Sequence, residues 1–335
     1  MDASLFTQIN TSISVRESSF IRQEQYQQIL QAKDNEALAL IIMGTPYHLD
    51  ELALEDLNAI ERALMKHLCQ EYAWAFENSP RSQIVEAYSL KYTYHNLKVL
   101  LKGKASQKNL ENLLIPIGGH SYSQLEHLVA TMTAEHCSDF MQGEVLETWQ
   151  EYLDYQDLRV LEIGMDMAYF RHLYLLANEV AEPVLQQLVG LFIDFYNLIT
   201  VERAYKQGKP RSFMHQLLSD QGSLEATELI DLVKTGQVAD WFATINPCPY
   251  DLDLRSYEEK MRQGLLTVSE LEYLADLLQW KVLEQAKYQV DGALPLIRYL
   301  QGKEFEVKNL RLLLTAHANH LPTELVKERM RPIYG

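Results

Sequence analysis

Three segments of this chain repeat one pattern, in which an asparagine interrupts an apolar helical stripe. Each segment has an apolar residue two positions before the asparagine, one position after it and four positions after it. These offsets share one face of a helix. The asparagines are Asn96, Asn197 and Asn309, which lie 101 and 112 residues apart. Recurrence over such a distance predicts three similar units, each with its own set of helices.

A polar break and a second apolar helix follow each repeated segment, so the unit boundaries are expected close behind these second helices. The predicted units are residues 1–133, 134–237 and 238–335.

Apolar residues recur at helical spacing through most of the chain, as at Leu271, Leu274, Leu278 and Val282. Alternation with a period of two, which half-buried strands show, is never sustained. The 335 residues include only 14 glycines and 10 prolines, whereas sheet proteins need more turn-forming residues. The sequence therefore predicts an all-α fold whose units are joined without long flexible linkers.

Asparagine is unfavourable inside a helix because its amide competes for backbone groups. We therefore expect Asn96, Asn197 and Asn309 to be structural repeat positions. Our hypothesis is that each side-chain amide binds the backbone of an adjoining helix and fixes how the two helices pack. The alternative is that the three asparagines recur by chance.

The formal net charge of −16 limits the partners of the chain. An acidic surface repels phosphate backbones and anionic lipid headgroups, so nucleic acid and direct lipid insertion are disfavoured. A local basic patch formed by Lys98, Lys102, Lys104 and Lys108 interrupts this acidity. Spacing of four places Lys98 and Lys102 on one helical face. We treat the four lysines as candidate contacts to an acidic partner, with a solvated helix face as the alternative.

Patterns that bind nucleotides or metals are missing from the sequence. Gly103-Lys104-Ala105 and Gly208-Lys209-Pro210 lack the upstream glycines of a phosphate-binding loop, and Pro210 has no backbone N–H to donate. His317 and His320 have the spacing of metal ligands but no third ligand nearby. We expect no catalytic residue, no cofactor and no metal.

The start of the chain lacks the basic and apolar regions of a signal peptide. The densest apolar run, residues 38–43, is far shorter than the roughly 20 residues that span a membrane. The three cysteines form no CxxC pair. We therefore expect a reduced, cytoplasmic protein.

Several degenerate motifs carry a family resemblance through their order and spacing. They are Arg16-Glu17-Ser18, Tyr26–Ala32, Thr45-Pro46-Tyr47, Tyr94–Lys102, Asp166–Phe170, Glu304–Leu314 and Leu321-Pro322. Together they resemble the C subunits of V/A-type rotary ATPases, a family that includes the d subunit of the vacuolar enzyme. The resemblance spans nearly the whole chain. The second repeat departs from the pattern, because Ile199-Thr200 stands where the first has Lys98-Val99.

The resemblance implies a funnel of three similar helical units around a pseudo-threefold axis. It implies that a wide mouth takes the foot of the central shaft and that the opposite face rests on the membrane rotor ring. Such a protein is non-catalytic and peripheral on the membrane. We expect one monomeric copy per complex, because a rotation axis has room for one central adaptor. It couples ATP hydrolysis or synthesis to proton or sodium transport. The sequence does not distinguish the two ions, because their ligands would lie in the ring.

Two other classes of protein are compatible with an all-α chain. A helical scaffold or adaptor unrelated to ATPases would repeat about every 34–47 residues, which is much shorter than the recurrence here. An all-α enzyme with a metal or prenyl-type site would need clustered acidic motifs such as DDxxD, and the sequence has none.

Overall fold

A computed structural model describes residues 3–248 and 251–335 of the chain. These residues contain 74% helix and no strand, which confirms the all-α prediction.

Seventeen α-helices follow one another in the described residues. They are α1 Thr7–Arg16, α2 Gln23–Gln31, α3 Asn35–Met43, α4 Glu51–Leu54, α5 Leu57–Asn78, α6 Ser82–Ser106, α7 Tyr122–Thr131, α8 Asp139–Tyr155, α9 Leu158–Val180, α10 Pro183–Lys206, α11 Arg211–Gln216, α12 Ala226–Thr235, α13 Val238–Ile245, α14 Arg255–Arg262, α15 Val268–Glu284, α16 Leu294–Ala318 and α17 Thr323–Lys327. Short 3₁₀ helices cover Ala3–Phe6, Glu17–Ser19, Glu111–Leu113 and Gln285–Tyr288.

Three long helices, α6, α10 and α16, carry the repeated asparagines and have 25, 24 and 25 residues. A second long helix precedes each of them, namely α5, α9 and α15. Two of the preceding helices begin at polar caps: Asp56 accepts the N–H of Asn58, and Asp157 accepts the N–H of Arg159. A cap satisfies a backbone donor that the first turn leaves unpaired, so these residues set where the helices begin.

The described chain divides into two compact units. Unit 1 contains the residues up to Val85 together with Leu283–Gly335, and unit 2 contains Glu86–Val282. The boundaries fall within α6 and α15. The division into units at 1–133, 134–237 and 238–335, and the threefold funnel, stay predictions.

Apolar helix faces form the core of each unit. In unit 1, α5 and α1 pack against α16, with Leu64 and Leu68 of α5 fully buried. In unit 2, α9 packs against α8 and α10, and α10 also packs against α12. Phe195, Leu198 and Val201 of α10 lie in the core of unit 2, and they flank Asn197 at the offsets of the repeated pattern. The apolar stripe around the asparagine is therefore a core-facing stripe in the second repeat.

Candidate functional site

Each repeated asparagine makes two hydrogen bonds to the backbone of one residue further along the chain. The side-chain Nδ2 donates to the backbone carbonyl, and Oδ1 accepts from the backbone N–H of the same residue. We call this double contact the asparagine bridge. The bridges join Asn96 to Ile115 at 2.7 and 2.9 Å, Asn197 to Ser219 at 2.9 and 2.9 Å, and Asn309 to Arg331 at 3.0 and 2.7 Å.

The residue at the far end of each bridge lies in a loop. Ile115 is 19 positions after its asparagine, and Ser219 and Arg331 are 22 positions after theirs. None of the three is helical, so the prediction that each amide binds an adjoining helix was wrong in its choice of partner. The physical reason is that the backbone groups inside a helix are already paired with each other, whereas the N–H and C=O of a loop residue have no helical partner.

Two of these loops also bring a glycine against the asparagine helix. A Cβ atom added at Gly118 would lie 2.7 Å from Oγ1 of Thr93, and one at Gly222 would lie 2.8 Å from Oδ1 of Asp194. Thr93 and Asp194 both precede the asparagine of their helix by three residues. Asp194 also accepts the N–H of Ser223 at 2.6 Å, and burial raises the pKa of its carboxyl. The first two repeats thus share this second contact.

Lys98 and Lys102 face α9, on which each has an acidic partner. Nζ of Lys98 lies 2.6 Å from Oδ1 of Asp166, and Lys102 forms an ion pair with Glu162. All four side chains are partly exposed. The structure therefore places the two lysines on one face, but it pairs both charges within the chain.

Lys104 and Lys108 lie apart from those two ion pairs. Nζ of Lys104 donates to the carbonyls of Val129 and Ala130 at the end of α7, at 2.6 and 3.3 Å, and lies 4.6 Å from the ring centroid of Trp149. Desolvation lowers the pKa of Lys104. Lys104 and the exposed Lys108 line a hollow of about 510 Å³ beside α6 and α7. Lys98 and Lys102 therefore have acidic partners within the chain, and Lys104 has backbone partners.

The second asparagine helix carries a corresponding basic residue. Arg203 follows Asn197 by six positions, as Lys102 follows Asn96, and pairs with Glu272 of α15 at 2.7 Å. The second repeat therefore lacks a charge at Ile199 but has one a turn later.

In the third repeat, Arg311 follows Asn309 by two positions, as Lys98 follows Asn96. Its guanidinium makes two bonds of 2.7 Å to Glu61 of α5. Ion pairs thus join α6 to α9, α10 to α15 and α16 to α5. Neither arginine was predicted from the sequence, although their offsets from the asparagine were a usable signal.

A second set of charges is buried in unit 1. Lys303 of α16 is fully buried, with Nζ 3.1 Å from Oε1 of Glu306. Glu306 also accepts the N–H of Ile21 at 2.6 Å and the hydroxyl of Tyr47 at 2.9 Å. The buried carboxylate is therefore surrounded by donors, as a buried charge requires.

Glu71 of α5 is a further buried carboxylate in unit 1. It accepts bonds from Arg16 at 2.7 Å and from the hydroxyl of Tyr299 at 2.5 Å. Burial alone would raise the pKa of Glu71, but the bonds from Tyr299 and Arg16 outweigh it, so the pKa lies below its ordinary value. The same carboxylate lies beside His67, whose pKa burial lowers to about 4.

Three of the segments that carry the family resemblance supply residues that contact these buried carboxylates or carry one of them: Arg16-Glu17-Ser18, Thr45-Pro46-Tyr47 and Glu304–Leu314. No contact of Glu306 was predicted from the sequence, and Lys303 and Glu71 were not among the candidate residues. The sequence alone does not show whether a charged helix residue faces solvent or the core, so the burial of these residues could not be predicted.

The remaining candidate motifs have structural roles in the described residues. Gly208, with φ of 65°, ends α10, and the N–H of Lys209 donates to the carbonyl of Ala204 at 2.9 Å. Nε2 of His317 lies 3.1 Å from Oδ1 of Asn35. Within residues 3–248 and 251–335, no three His, Cys, Asp or Glu side chains are grouped so that they could hold a metal ion.

The sequence profile of the ATP synthase (C/AC39) subunit matches residues 9–329 of the chain. The chain belongs to this family. The match includes all three asparagine helices and confirms the resemblance found in the motifs.

Other members of the C/AC39 family align with the chain almost end to end. The C subunit of the V-type sodium ATPase of Enterococcus hirae is 28% identical over 334 residues, which cover 98% of this chain and 99% of that protein. The C subunit of the A-type ATP synthase of Methanocaldococcus jannaschii is 23% identical over 98% of this chain and 86% of that protein. Its counterpart in Methanosarcina acetivorans is 24% identical, with coverages of 96% and 91%.

Membership in the C/AC39 family decides between an ATPase subunit and an unrelated helical scaffold, the two classes that the sequence left open. The alternative of a helical scaffold unrelated to ATPases was wrong, because the chain is homologous to the C subunits of V-type and A-type ATPases.

Among the described helices of this C/AC39 family member, one, α10, is long and apolar enough to cross a membrane. The continuous apolar runs of the sequence did not reveal it, because charged and polar residues interrupt α10. Of its apolar window, 56% is buried inside the chain. A core helix passes the same test of length and composition, and α10 supplies core residues of unit 2.

Proposed function

We propose that this chain is the non-catalytic central-stalk subunit of a V/A-type rotary ATPase. In this role it connects the rotating shaft of the soluble ATPase head to the membrane rotor ring. It thereby couples ATP hydrolysis or synthesis to the transport of protons or sodium ions. The observation that carries the proposal is the recurrence of the asparagine bridge on three long helices of a chain that belongs to the C/AC39 family.

Torque passes through a protein only if its parts resist displacement. Asn197 and Asn309 are each 1% exposed, and their bridges fix a loop to a core helix where water does not compete for the hydrogen bonds. Packed interiors transmit strain because they have little free volume. The bridges therefore support a stiff coupling element.

The ion pairs between the long helices follow a cyclic order along the sequence. Helix α6 pairs with α9, which precedes α10. Helix α10 pairs with α15, which precedes α16, and α16 pairs with α5, which precedes α6. The pseudo-threefold axis that the family resemblance implies suits a single copy placed on a rotation axis. We therefore propose a monomeric subunit, one per complex, that is cytoplasmic and held on the membrane through its partners.

The proposed partners are the central-shaft subunits and the rotor-ring subunits. Lys98, Lys102, Lys104 and Lys108 stay candidate contacts, and Lys108 is the strongest of them. It is exposed, whereas Lys98 and Lys102 already pair with Asp166 and Glu162. The chain would need no cofactor for this role.

Affinity purification from the native membrane tests the proposal. A tagged chain should bring down the subunits of the ATPase head and the rotor ring in fixed ratio, with one tagged copy per complex. The same purification with an untagged chain expressed at the same level is the control for nonspecific recovery of head and ring subunits. Recovery of the tagged chain without head and ring subunits would contradict the proposal.

A further inference from the structure

A groove in unit 2 takes no part in the bridges and ion pairs between the long helices. It has a volume of about 790 Å³ and lies between the N-terminal half of α10 and the helices α12 and α13. Gly190 and Asp194 of α10, Glu228 of α12, and Asp240 and Trp241 of α13 are among the residues that line it. We call it the α10–α12–α13 groove.

Gly190 is an unusual choice for the interior of a long helix. Glycine there is less stable than alanine by up to about 1 kcal/mol. Gly164 and Gly302, which also lie inside helices, have a reason within the chain, because a Cβ atom would meet Thr148 at 2.7 Å and Tyr334 at 2.3 Å respectively. A Cβ atom at Gly190 would meet nothing within 4 Å, as would one at Gly143 of α8, but of these two glycines only Gly190 lines the groove. The bare backbone at Gly190 therefore leaves space that the chain itself does not use.

The charges of the groove all have one sign. Its lining includes the carboxylates of Asp194, Glu228 and Asp240 and contains no lysine, arginine or histidine among the described residues. Asp240 has a cationic neighbour, Arg262, at 3.1 Å. A second hollow of about 600 Å³ shares Glu228 and adds Asp231, which pairs with Arg211 at 3.0 Å. The groove therefore favours a positively charged occupant.

The groove also has an apolar surface and the size of a short helical segment. Leu191, Leu232 and Trp241 line it beside the carboxylates. A helix about 10 Å across occupies roughly 80 Å³ per ångström of length, so 790 Å³ holds about two turns. An occupant with apolar side chains on one face and basic ones on the flanks matches both surfaces.

We infer that the α10–α12–α13 groove docks a basic amphipathic helix from another subunit of the same ATPase. This inference rests on the proposed function. The foreign helix passes close to Gly190, buries apolar side chains against Trp241 and directs lysine or arginine toward Glu228 and Asp240. A second copy of this chain is a poor occupant, because the net charge of −16 makes two copies repel each other.

Crosslinking in the purified complex tests this inference. The photoreactive amino acid p-benzoylphenylalanine replaces Thr244, an exposed residue of the groove, and the crosslinked peptide is identified by mass spectrometry. The same probe at the exposed Asn178 of α9 is the control for position. We expect the Thr244 probe to capture a lysine- or arginine-rich helical segment of another ATPase subunit and the Asn178 probe not to capture it.

Two matched glycine variants then test the role of the open backbone. Gly190→Leu fills the groove, whereas Gly143→Leu fills equally open space on α8 outside it. Both variants should keep or raise the melting temperature, since leucine is the better helix former and its Cβ meets no other atom. Gly190→Leu should reduce the crosslink at least tenfold, and Gly143→Leu should leave it unchanged. The double variant Glu228→Lys with Asp240→Lys, which leaves the groove unfilled, should reduce it by the same factor.

The outcomes separate this inference from the proposed function. Capture of a second copy, capture of an acidic segment, or no capture at Thr244 in a complex that contains the head and ring subunits would overturn the groove assignment alone. An undiminished crosslink in Gly190→Leu and in the charge-reversal variant would overturn it as well. Failure of the chain to co-purify with head and ring subunits would overturn the proposed function and this inference together.

Discussion

Helices α10 and α16 have nearly the same length and the same asparagine bridge, but they bury different side chains. The buried residues of α10 are mostly apolar, whereas α16 also buries Arg298, Lys303 and Glu304. Three positions before the asparagine both helices have a buried acid, Asp194 in α10 and Glu306 in α16. The repeated position therefore keeps its chemical type while its surroundings differ.

The two helices supply hydrogen-bond donors to the buried carboxylate at this position in different ways. Asp194 accepts a backbone N–H from the loop after its own helix, at Ser223. Glu306 takes its donors from the distant Ile21 and Tyr47 and from Lys303, whose counterpart in α10 is Leu191. The charges of α16 thus connect the N-terminal segments of unit 1 to this helix, and α10 makes no comparable contacts in the described residues.

The largest effect is expected from Lys303→Met. The change leaves Glu306 buried without its cation, and breaking a buried pair from one side costs about 3–5 kcal/mol. Lys66→Met, on the exposed side of α5, is the matched control and should change the free energy of unfolding by less than about 0.5 kcal/mol. Urea denaturation followed by circular dichroism measures both. Equal losses in the two variants would mean that the buried pair of α16 does not stabilise unit 1.

The asparagine bridges should contribute similarly in both helices. Asn197→Leu and Asn309→Leu each remove the two hydrogen bonds of the bridge, and Asn309→Leu also removes a hydrogen bond to Tyr26; such losses cost about 1–3 kcal/mol. Asn178→Leu on α9, which removes only one exposed hydrogen bond from Gln186, is the control for the added leucine. The same denaturation assay applies. If the two bridge variants matched the control, the recurrence of asparagine would be incidental.

A buried histidine in unit 2 gives a pH-dependent test. Burial lowers the pKa of His172 to about 4, so between about pH 6.5 and 4 the unfolded chain binds a proton that the folded chain does not. The stability that depends on neutral His172 is therefore complete above about pH 6.5 and is lost as the pH falls. Between pH 7 and pH 5 the loss should be about 1–2 kcal/mol.

His172→Asn should remove that loss, because asparagine cannot take up the proton and its amide lies near the position of Nδ1, which contacts the hydroxyl of Tyr94. The control is His127→Asn on the exposed side of α7. The measurement is the free energy of unfolding of each variant and of the unchanged protein at pH 7 and at pH 5. A pH dependence in His172→Asn as steep as in the unchanged protein would assign the effect to other groups.

The smallest effect is expected from the exposed ion pairs. Lys102→Met breaks a pair whose two side chains are 31% and 49% exposed, and such pairs contribute about 0.2–1 kcal/mol. A double-mutant cycle with Glu162→Gln isolates the coupling energy. A coupling above about 2 kcal/mol would contradict the contrast between exposed pairs and the buried pair of α16.

The features of the fold that depend on residues close together in the sequence could be predicted. Helical periodicity predicted the all-α class, and an asparagine in an apolar helix is unfavourable enough to indicate a contact. Spacing of four placed Lys98 and Lys102 on one face, as the structure has them. The family resemblance rested on motifs whose order along the chain is itself a sequence property.

The partners of these residues could not be predicted, because they depend on how distant segments pack. Nothing near Asn96 in sequence selects Ile115 over the other residues of its loop. Lys303 and Glu71 look like solvated helix residues until the segments that cover them are in place. The α10–α12–α13 groove likewise exists only once three helices have come together.

The measurement that tests the central claim most directly compares ATP hydrolysis with ion uptake in the same vesicles. Vesicles that contain the ATPase complex are prepared with this chain, without it, and with it added back. The account predicts that removing the chain leaves hydrolysis by the soluble head but abolishes ATP-driven uptake of the transported ion, and that adding it back restores uptake. Undiminished uptake without the chain would contradict the claim that it couples the shaft to the ring.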